Sequence, residues 1–171
     1  MIALKMIVIQ ISKSRSILGF FVVLGVTFSA AAVGGWASAN TPGFYAILNK
    51  PAWAPPAAVF GPVWTVLYLL MAIAAWLVWK GGRKQEVRRA LMFYLAQLAL
   101  NALWTWVFFA WRQGGWALVE IVVLGIMILI TLAAFHRIRP LAGYLLIPYL
   151  VWVGFAAVLN AVLWRLNPEL L

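Results

Sequence analysis

The side chains in this sequence that could catalyse a reaction or hold a metal ion are few and scattered. The chain has three carboxylates, Glu86, Glu120 and Glu169, a single histidine, His136, and no cysteine. Acid–base catalysis needs positioned titratable groups, and a metal centre needs several clustered ligands. No such pairing or cluster is visible in the sequence. We therefore expect no catalytic residue, no metal site and no required cofactor.

The sequence instead offers indole, phenol and amide groups at helical spacing. Residues three, four, seven or eleven apart share one face of an α-helix. Three such stripes contain Trp64, Tyr68, Met71 and Ala75; Gln97, Asn101, Trp104 and Phe108; and Tyr149, Trp152, Ala156 and Asn160. A buried amide is costly without a partner, so these faces should point into a helix bundle.

Two interpretations of the stripes remain open on the residues alone. They form either a plain packed core or a pocket for a flat apolar ligand. Such pockets are mostly apolar and aromatic, with a few polar groups that orient the ligand. Tyr68, Gln97, Asn101 and Asn160 are the candidates for that polar role.

The segments that carry these stripes are apolar enough to lie in a membrane. Of 171 residues, 67% are hydrophobic and 9% are charged, whereas soluble domains are about 45–50% apolar and about 25% charged. Spanning ~30 Å of hydrocarbon takes about 20 helical residues. Five segments meet this requirement, near 16–38, 59–79, 88–110, 116–136 and 141–164. The sequence predicts an all-α membrane protein, a bundle of five transmembrane helices in contact with lipid.

The long connection between the first two spans, residues 39–58, is rich in proline and aromatic residues. Pro51, Pro55 and Pro56 fix φ and lack a backbone donor, so residues 50–56 should not be helical. Pro62 is expected in the first turn of the second span, and Pro148 should kink the fifth. The loop would stand stiffly at the mouth of an aromatic-lined helix, or else lie in the interface as part of an aromatic belt.

The fourth span carries no polar stripe, and we expect it to face lipid. Its Glu120 lies near the membrane interface, where it could reach the headgroup region or pair with Arg112. Small residues in the first span, Ala30, Ala31, Gly34 and Gly35, predict a close helix–helix contact within the bundle or between subunits.

Basic residues are distributed unevenly along the chain, whose net charge is +10. Ten of the thirteen precede the first span or lie in the second and fourth loops; the others are Lys50, Arg112 and Arg165. The positive-inside rule therefore predicts a cytoplasmic N-terminus. Because the charges fall between apolar segments rather than along one face, we expect no nucleic-acid partner.

Three ordered blocks resemble the translocator protein family (TspO/MBR), also called tryptophan-rich sensory proteins or peripheral-type benzodiazepine receptors. They are Asn49-Lys50-Pro51, Trp53, Pro55-Pro56, Phe60, Trp64-Thr65, Leu67-Tyr68 and Met71; Tyr94, Gln97-Leu98, Asn101, Leu103-Trp104 and Phe108-Phe109; and Pro148-Tyr149, Trp152, Phe155-Ala156, Leu159-Asn160, Trp164 and Asn167. The resemblance covers roughly residues 17–167. We accordingly divide the chain into an N-terminal extension, 1–15, and a five-helix transmembrane domain, 16–167.

The resemblance implies a five-helix bundle whose first loop forms a lid over a cavity. Members bind protoporphyrin IX or haem and are commonly homodimers. The positions that match the family's ligand pocket are Trp53 in the lid, Asn101, Trp104, Trp152, Phe155 and Ala156.

Two departures from the family pattern bear on the ligand. The family's sterol-recognition element needs a tyrosine before its terminal basic residue, whereas residues 158–165 keep Arg165 and contain no tyrosine. In the family that this chain resembles, some bacterial members that degrade porphyrin carry tryptophans at the positions of Phe44 and Ala161.

These observations favour a membrane protein that binds tetrapyrroles, for transport or for sensing, and that is not an enzyme. The first alternative is an enzyme that degrades porphyrin with light and oxygen. The second is a structural membrane scaffold without a ligand.

Overall fold

The computed structural model describes residues 13–39 and 42–171, and all regular structure within these ranges is helical. The helices are α1 (Lys13–Ala39), α2 (Pro42–Ile47), α3 (Ala57–Trp79), α4 (Lys84–Thr105), α5 (Gly114–Ile138), α6 (Pro140–Tyr144) and α7 (Ile147–Leu166), and a π-helical turn, Trp106–Ala110, prolongs α4. Five segments of 23 to 27 residues are apolar and long enough to cross a membrane: α1, α3, α4 with its π turn, α5, and α6 with α7. The predicted five-helix membrane bundle is confirmed.

The ends of the spans differ modestly from the prediction. Helix α1 begins at Lys13, inside the segment predicted as an extension, and residues 1–12 of that extension lie outside the described residues. Helix α3 begins directly after Pro55-Pro56. Pro62 therefore lies within α3, so its predicted place in the first turn is wrong. Its missing N–H removes the bond that would reach the carbonyl of Ala58.

The predicted interruption at Pro148 is confirmed, although it separates two helices rather than kinking one. The chain turns at Leu145 and Leu146, and Pro148 stands at the start of α7. A proline is tolerated there because the first N–H groups of a helix have no partner within it. Residues 50–56 are not helical, also as predicted.

Helix α5 is a central packing element, and the prediction that this span only faces lipid is wrong for its inner face. Its buried residues recur in alternating steps of three and four: Gly114, Ala117, Ile121, Leu124, Ile128, Thr131 and Phe135. This spacing forms a continuous seam, which packs against α4 and α7. The outer face, with Trp116, Val119 and Val122 exposed, is equally apolar. Hydropathy therefore could not separate the two faces.

Helix α1 is fastened to α3 and α4 by hydrogen bonds at three depths. The pairs are Trp76 Nε1 to the Ser16 carbonyl (2.9 Å), Thr27 Oγ1 with the Tyr94 hydroxyl (2.7 Å), and Trp106 Nε1 to the Val33 carbonyl (3.0 Å). Each gives a partner to an indole N–H or a phenol hydroxyl that hydrocarbon would otherwise leave unsatisfied. The bonds hold α1 in place although much of its surface, including Phe21 and Val22, is exposed.

One end of the bundle, which we call the basic end, gathers the positive charge of two loops. Its exposed residues are Lys80, Arg83, Lys84, Arg88, Arg89, Arg137 and Arg139. Glu86 forms an exposed ion pair with Arg83 there, and this contact raises the pKa of the Arg83 guanidinium. Gly81 leaves room for Arg139, because a Cβ at Gly81 would lie 2.6 Å from Arg139 Nε. The opposite end carries the first loop, and we call it the lid end.

Candidate functional site

A cavity of about 240 Å³ lies inside the bundle, between α1, α3, α4 and α7. Six of the twelve residues predicted to bind ligand line it: Trp64, Tyr68, Asn101, Trp104, Trp152 and Ala156. They come from all three predicted stripes, one each on α3, α4 and α7. The inward faces inferred from spacing thus meet at one place.

Aromatic rings form most of the cavity wall and brace one another. Trp64 packs against Tyr68 with ring centroids 5.5 Å apart, and Trp152 meets Phe60 edge-on at 6.0 Å. Trp104 stacks on Phe108 at 5.3 Å, with the rings inclined by 16°. Because each indole is supported by a second ring, the wall is held in shape without a ligand.

The polar groups of the wall are largely engaged with one another. Tyr68 donates its hydroxyl hydrogen to the Asn101 side-chain carbonyl, and the Asn101 amide donates to the Tyr149 hydroxyl at 3.2 Å. Trp104 Nε1 donates to the Asn160 side-chain carbonyl at 3.2 Å, and the Asn160 amide donates to the Gly114 carbonyl at 3.0 Å. These amides therefore lock α3, α4, α5 and α7 together.

Trp152 differs from the other polar residues of the wall. Its indole N–H is buried and has no hydrogen-bond acceptor among the described residues. A buried donor without a partner is costly, so a ligand that brought an acceptor to this position would gain from it.

Eight lining residues were not predicted as ligand contacts: Ala31, Gly34, Gly35, Ser38, Phe60, Gly61, Thr105 and Phe109. Four of them belong to α1, whose small residues were assigned only to helix contact. Gly34 does make that contact, since a Cβ there would lie 3.2 Å from Thr105 Oγ1. Phe60 and Phe109 stood in the family blocks and could have been included on that signal.

Phe109, which lines the cavity, lies beside Phe108 in the π-helical turn. The Trp111 N–H bonds the Trp106 carbonyl five residues earlier, at 2.9 Å. A π-helical turn shifts the residues within it away from α-helical positions. Phe108 is buried and Phe109 lines the cavity.

The cavity reaches the outer surface between α1 and α3, close to the lid end. Gly35 and Gly61 both line it and are exposed, and a Cβ at either would meet nothing within 4 Å. Gly35 lies four residues before the end of α1, and Gly61 lies four residues after the start of α3. The opening is thus lateral and near the level at which these helices leave the apolar layer.

The other six predicted residues lie around the cavity rather than in its wall. Phe108 and Asn160 line a second hollow of about 30 Å³ nearer the lid end. Tyr149 is buried behind Asn101, and Gln97 contacts Met71 Sδ at 3.8 Å. Trp53 is 48% exposed and meets Phe155 edge-on at 5.8 Å, and neither residue lines the cavity.

The first loop, residues 42–56, which we call the lid loop, closes the end of the bundle over the smaller hollow. Helix α2 supplies Phe44 and Tyr45, which are buried with Leu48 against the π turn and α7. Tyr45 lines the smaller hollow and donates to the Pro55 carbonyl at 2.9 Å. Burial raises the pKa of the Tyr45 phenol.

Two further contacts fix the shape of the loop. Lys50 Nζ donates to the carbonyls of Tyr45, Ala46 and Leu48 at 2.9–3.1 Å, and so caps the end of α2. Asn167, just after α7, accepts from the Asn49 backbone N–H at 2.8 Å and donates to the Asn49 carbonyl at 3.0 Å. The loop is thereby tied to the end of α7 at one residue.

Glu120 is not paired with Arg112, so that suggested contact is wrong. The Arg112 guanidinium lies over the Phe44 ring, 4.9 Å from its centroid. Both Glu120 carboxyl oxygens are buried and have no hydrogen-bond partner in the described part of the chain. Across residues 13–39 and 42–171, no group of three or more His, Cys, Asp or Glu side chains is placed to hold a metal ion.

Comparison with known proteins gives a consistent result. The TspO/MBR family matches residues 21–165. The chain is 44% identical to the translocator protein of Sus scrofa over 126 residues, which are 72% of this chain and 75% of the relative. It is 42% identical to the tryptophan-rich protein TspO of Chlorobaculum tepidum, over 73% of this chain and 80% of that one. Protein CrtK of Rhodobacter capsulatus is 36% identical over 85% of this chain and 93% of its own length. Because the family matches most of the length of this five-helix membrane bundle, the chain belongs to the TspO/MBR family.

Proposed function

We propose that the cavity binds a tetrapyrrole such as protoporphyrin IX or haem. The observation that carries the proposal is an uncharged, aromatic-walled cavity that opens sideways between α1 and α3. Three indoles from three different helices, Trp64, Trp104 and Trp152, face it. A scaffold without a ligand would gain from filling this space, because an empty cavity forfeits packing energy.

The position of the opening suits a ligand that is apolar over most of its surface and acidic at one edge. The wall residues carry no charge, so the ring system would enter while its carboxylates remained near the headgroup level. The cavity volume, about 240 Å³, is below the roughly 300–1,000 Å³ of usual ligand pockets. Part of a bound macrocycle would therefore project past Gly35 and Gly61.

Binding would serve transport or sensing rather than catalysis. The relatives are named translocator and tryptophan-rich sensory proteins, which is in keeping with that role. The residues that line the cavity also include no carboxylate, histidine or lysine that could act as a general base. We also propose that the N-terminus and the basic end lie on the cytoplasmic side and that the functional unit is a homodimer.

Titration of the purified protein with protoporphyrin IX, followed by tryptophan fluorescence, tests the proposal. An aromatic partner is worth roughly 0.5–1.5 kcal/mol beyond its buried area, so Trp152→Leu should weaken binding about two- to tenfold. Trp116→Leu is the matched control, since Trp116 is 69% exposed on the outer face of α5. Equal losses in both variants would indicate partition into detergent rather than a site.

A pair of glycine variants on one helix locates the site more directly. A Cβ at Gly35 or at Gly25 meets nothing within 4 Å, but only Gly35 lines the cavity. Gly35→Leu should block the opening and reduce porphyrin affinity at least tenfold. Gly25→Leu brings the same gain in helix propensity and should bind as the natural chain does. Unchanged affinity in Gly35→Leu would refute a site at this cavity.

A further inference from the structure

Glu120 is the single acidic side chain that lies well inside a spanning helix. The other two acids of the chain are Glu86, at the start of α4 in the basic end, and Glu169, in the tail after α7. Glu120 stands six residues after the start of α5, which is about 9 Å along the helix. Carboxylates at such depth in a membrane are rare and are usually functional.

Nothing in the described part of the chain compensates a charge on this carboxylate. Both oxygens are inaccessible to solvent and accept no hydrogen bond. The nearest cation in sequence, Arg112, is engaged with the Phe44 ring. An ionised carboxylate removed from water without a partner is strongly disfavoured, and such a group neutralises instead.

The helices packed against α5 carry phenols but no cation at the depth of Glu120. On its own helix, His136 and Arg137 lie in the last turn, about 24 Å away along the axis. The titratable or charged groups of the elements packed against α5 are Tyr68 on α3, and Tyr94 and the basic-end residues on α4. On α6 the group is Tyr144, and on α7 they are Tyr149 and Arg165. Arg165 is exposed in the last turn of α7. Tyr149 is fully buried on α7, which packs against α5.

The hydrogen-bond chain in the cavity wall ends at Tyr149, whose hydroxyl hydrogen has no acceptor among the described residues. Tyr68 donates to Asn101, and Asn101 donates to the Tyr149 hydroxyl at 3.2 Å. The Tyr149 hydroxyl therefore acts as acceptor in the chain, and no described group accepts its own hydrogen. Glu120 has two acceptor oxygens without a donor. The Tyr149 hydrogen and the two Glu120 oxygens are thus unmatched groups on two packed helices, α7 and α5. The other buried side-chain atoms without a partner among the described residues are Gln97 Oε1 and Trp152 Nε1.

We propose that Glu120 is a proton-binding site within the membrane, with a neutral carboxyl group at neutral pH that ionises against the hydroxyl of Tyr149. When the proton leaves, the Tyr149 hydroxyl turns its hydrogen to the carboxylate. The proton is released to the solvent, and no covalent bond other than O–H is broken. Since Tyr68 and Asn101 line the cavity, the charge on Glu120 reaches the cavity wall through three hydrogen-bonded side chains.

Infrared spectroscopy tests this directly, because the chain has only three acidic side chains. The protein is held in an ester-free maltoside detergent, so that lipid carbonyls do not overlap the carboxylic acid band. At pH 7 we expect a protonated carboxyl band that shifts in D2O and disappears in Glu120→Gln. Glu86→Gln, which removes an exposed carboxylate, is the matched control and should keep the band.

Two further variants keep the test decisive if Glu120→Gln does not fold. Glu120→Asp should retain the band at a different frequency, which assigns it to this position. Tyr149→Phe removes the donor to the ionised form, so the band should titrate at a higher pH than in the natural chain. Absence of the band at pH 7, or its persistence unchanged in both Glu120 variants, would overturn the site. An unaltered titration in Tyr149→Phe would overturn the role of Tyr149.

Discussion

Replacing Asn167 with alanine should release the lid loop without disturbing the bundle. The Asn167 side chain accepts from the Asn49 N–H and donates to the Asn49 carbonyl, at 2.8 and 3.0 Å. It also donates to the Leu163 carbonyl at 2.8 Å. Asn167 is 4% exposed and joins residues 118 apart in sequence. Alanine removes the two bonds that tie the loop to α7.

The expected size of the effect follows from those two bonds. A typical intramolecular hydrogen bond contributes about 1 kcal/mol net, so the loop should open about 2 kcal/mol more easily. At 1.4 kcal/mol per factor of ten, that is roughly a 30-fold rise in the open population. Amide hydrogen exchange in residues 42–56 should rise by this factor. Exchange in α5 should stay unchanged.

Asn49→Ala provides a matched control for the same contact. Asn49 takes part through its backbone N–H and carbonyl, and its residue surface is exposed. Its alanine variant keeps both groups and should exchange like the natural chain. If Asn167→Ala and Asn49→Ala exchange alike, the contact between α7 and the loop does not hold the lid, and the reasoning fails.

Two further predictions concern topology and chemistry. Because the natural chain has no cysteine, single cysteines can be introduced as Ser14→Cys, Ala46→Cys, Gln85→Cys, Gln113→Cys and Leu170→Cys. An impermeant thiol reagent outside the cell should label positions 46, 113 and 170 only. Labelling of positions 14 and 85 instead would show the opposite topology. Illuminated in air, the protein–porphyrin complex should lose porphyrin absorbance no faster than porphyrin in detergent. The Phe44→Trp/Ala161→Trp variant should lose it faster, because indole is more easily oxidised than benzene. Rapid loss of porphyrin absorbance with a discrete product would show that the natural chain is an enzyme.

The spans and the inward faces could be predicted from local sequence because hydrocarbon leaves the backbone few options. A spanning segment must satisfy its hydrogen bonds internally, so about 20 apolar residues imply a helix. Polar residues at helical spacing then mark the face that avoids lipid. Tyr68, Asn101 and Tyr149 were assigned inward on three separate helices, and the structure joins them in one hydrogen-bonded chain.

Helix α5 shows where that reasoning stops. Its buried seam from Gly114 to Phe135 and its exposed face are both apolar. Lipid and a neighbouring helix are equally good surroundings for such side chains, so hydropathy does not reveal which face is packed. The small residues of α1 pose the same difficulty, since Gly34 contacts α4 while its neighbour Gly35 borders the cavity opening.

The sequence alone determined that this protein is a five-helix membrane bundle of a recognisable family with indoles and amides directed inward. The tertiary structure decided which of those residues enclose space, that Asn49 and Asn167 meet, and that Glu120 has no hydrogen-bond partner among the described residues. The physical reason is that helical period and backbone hydrogen bonding act over a few residues and can be read locally. Contacts between helices depend instead on how whole faces fit together across more than a hundred residues of chain.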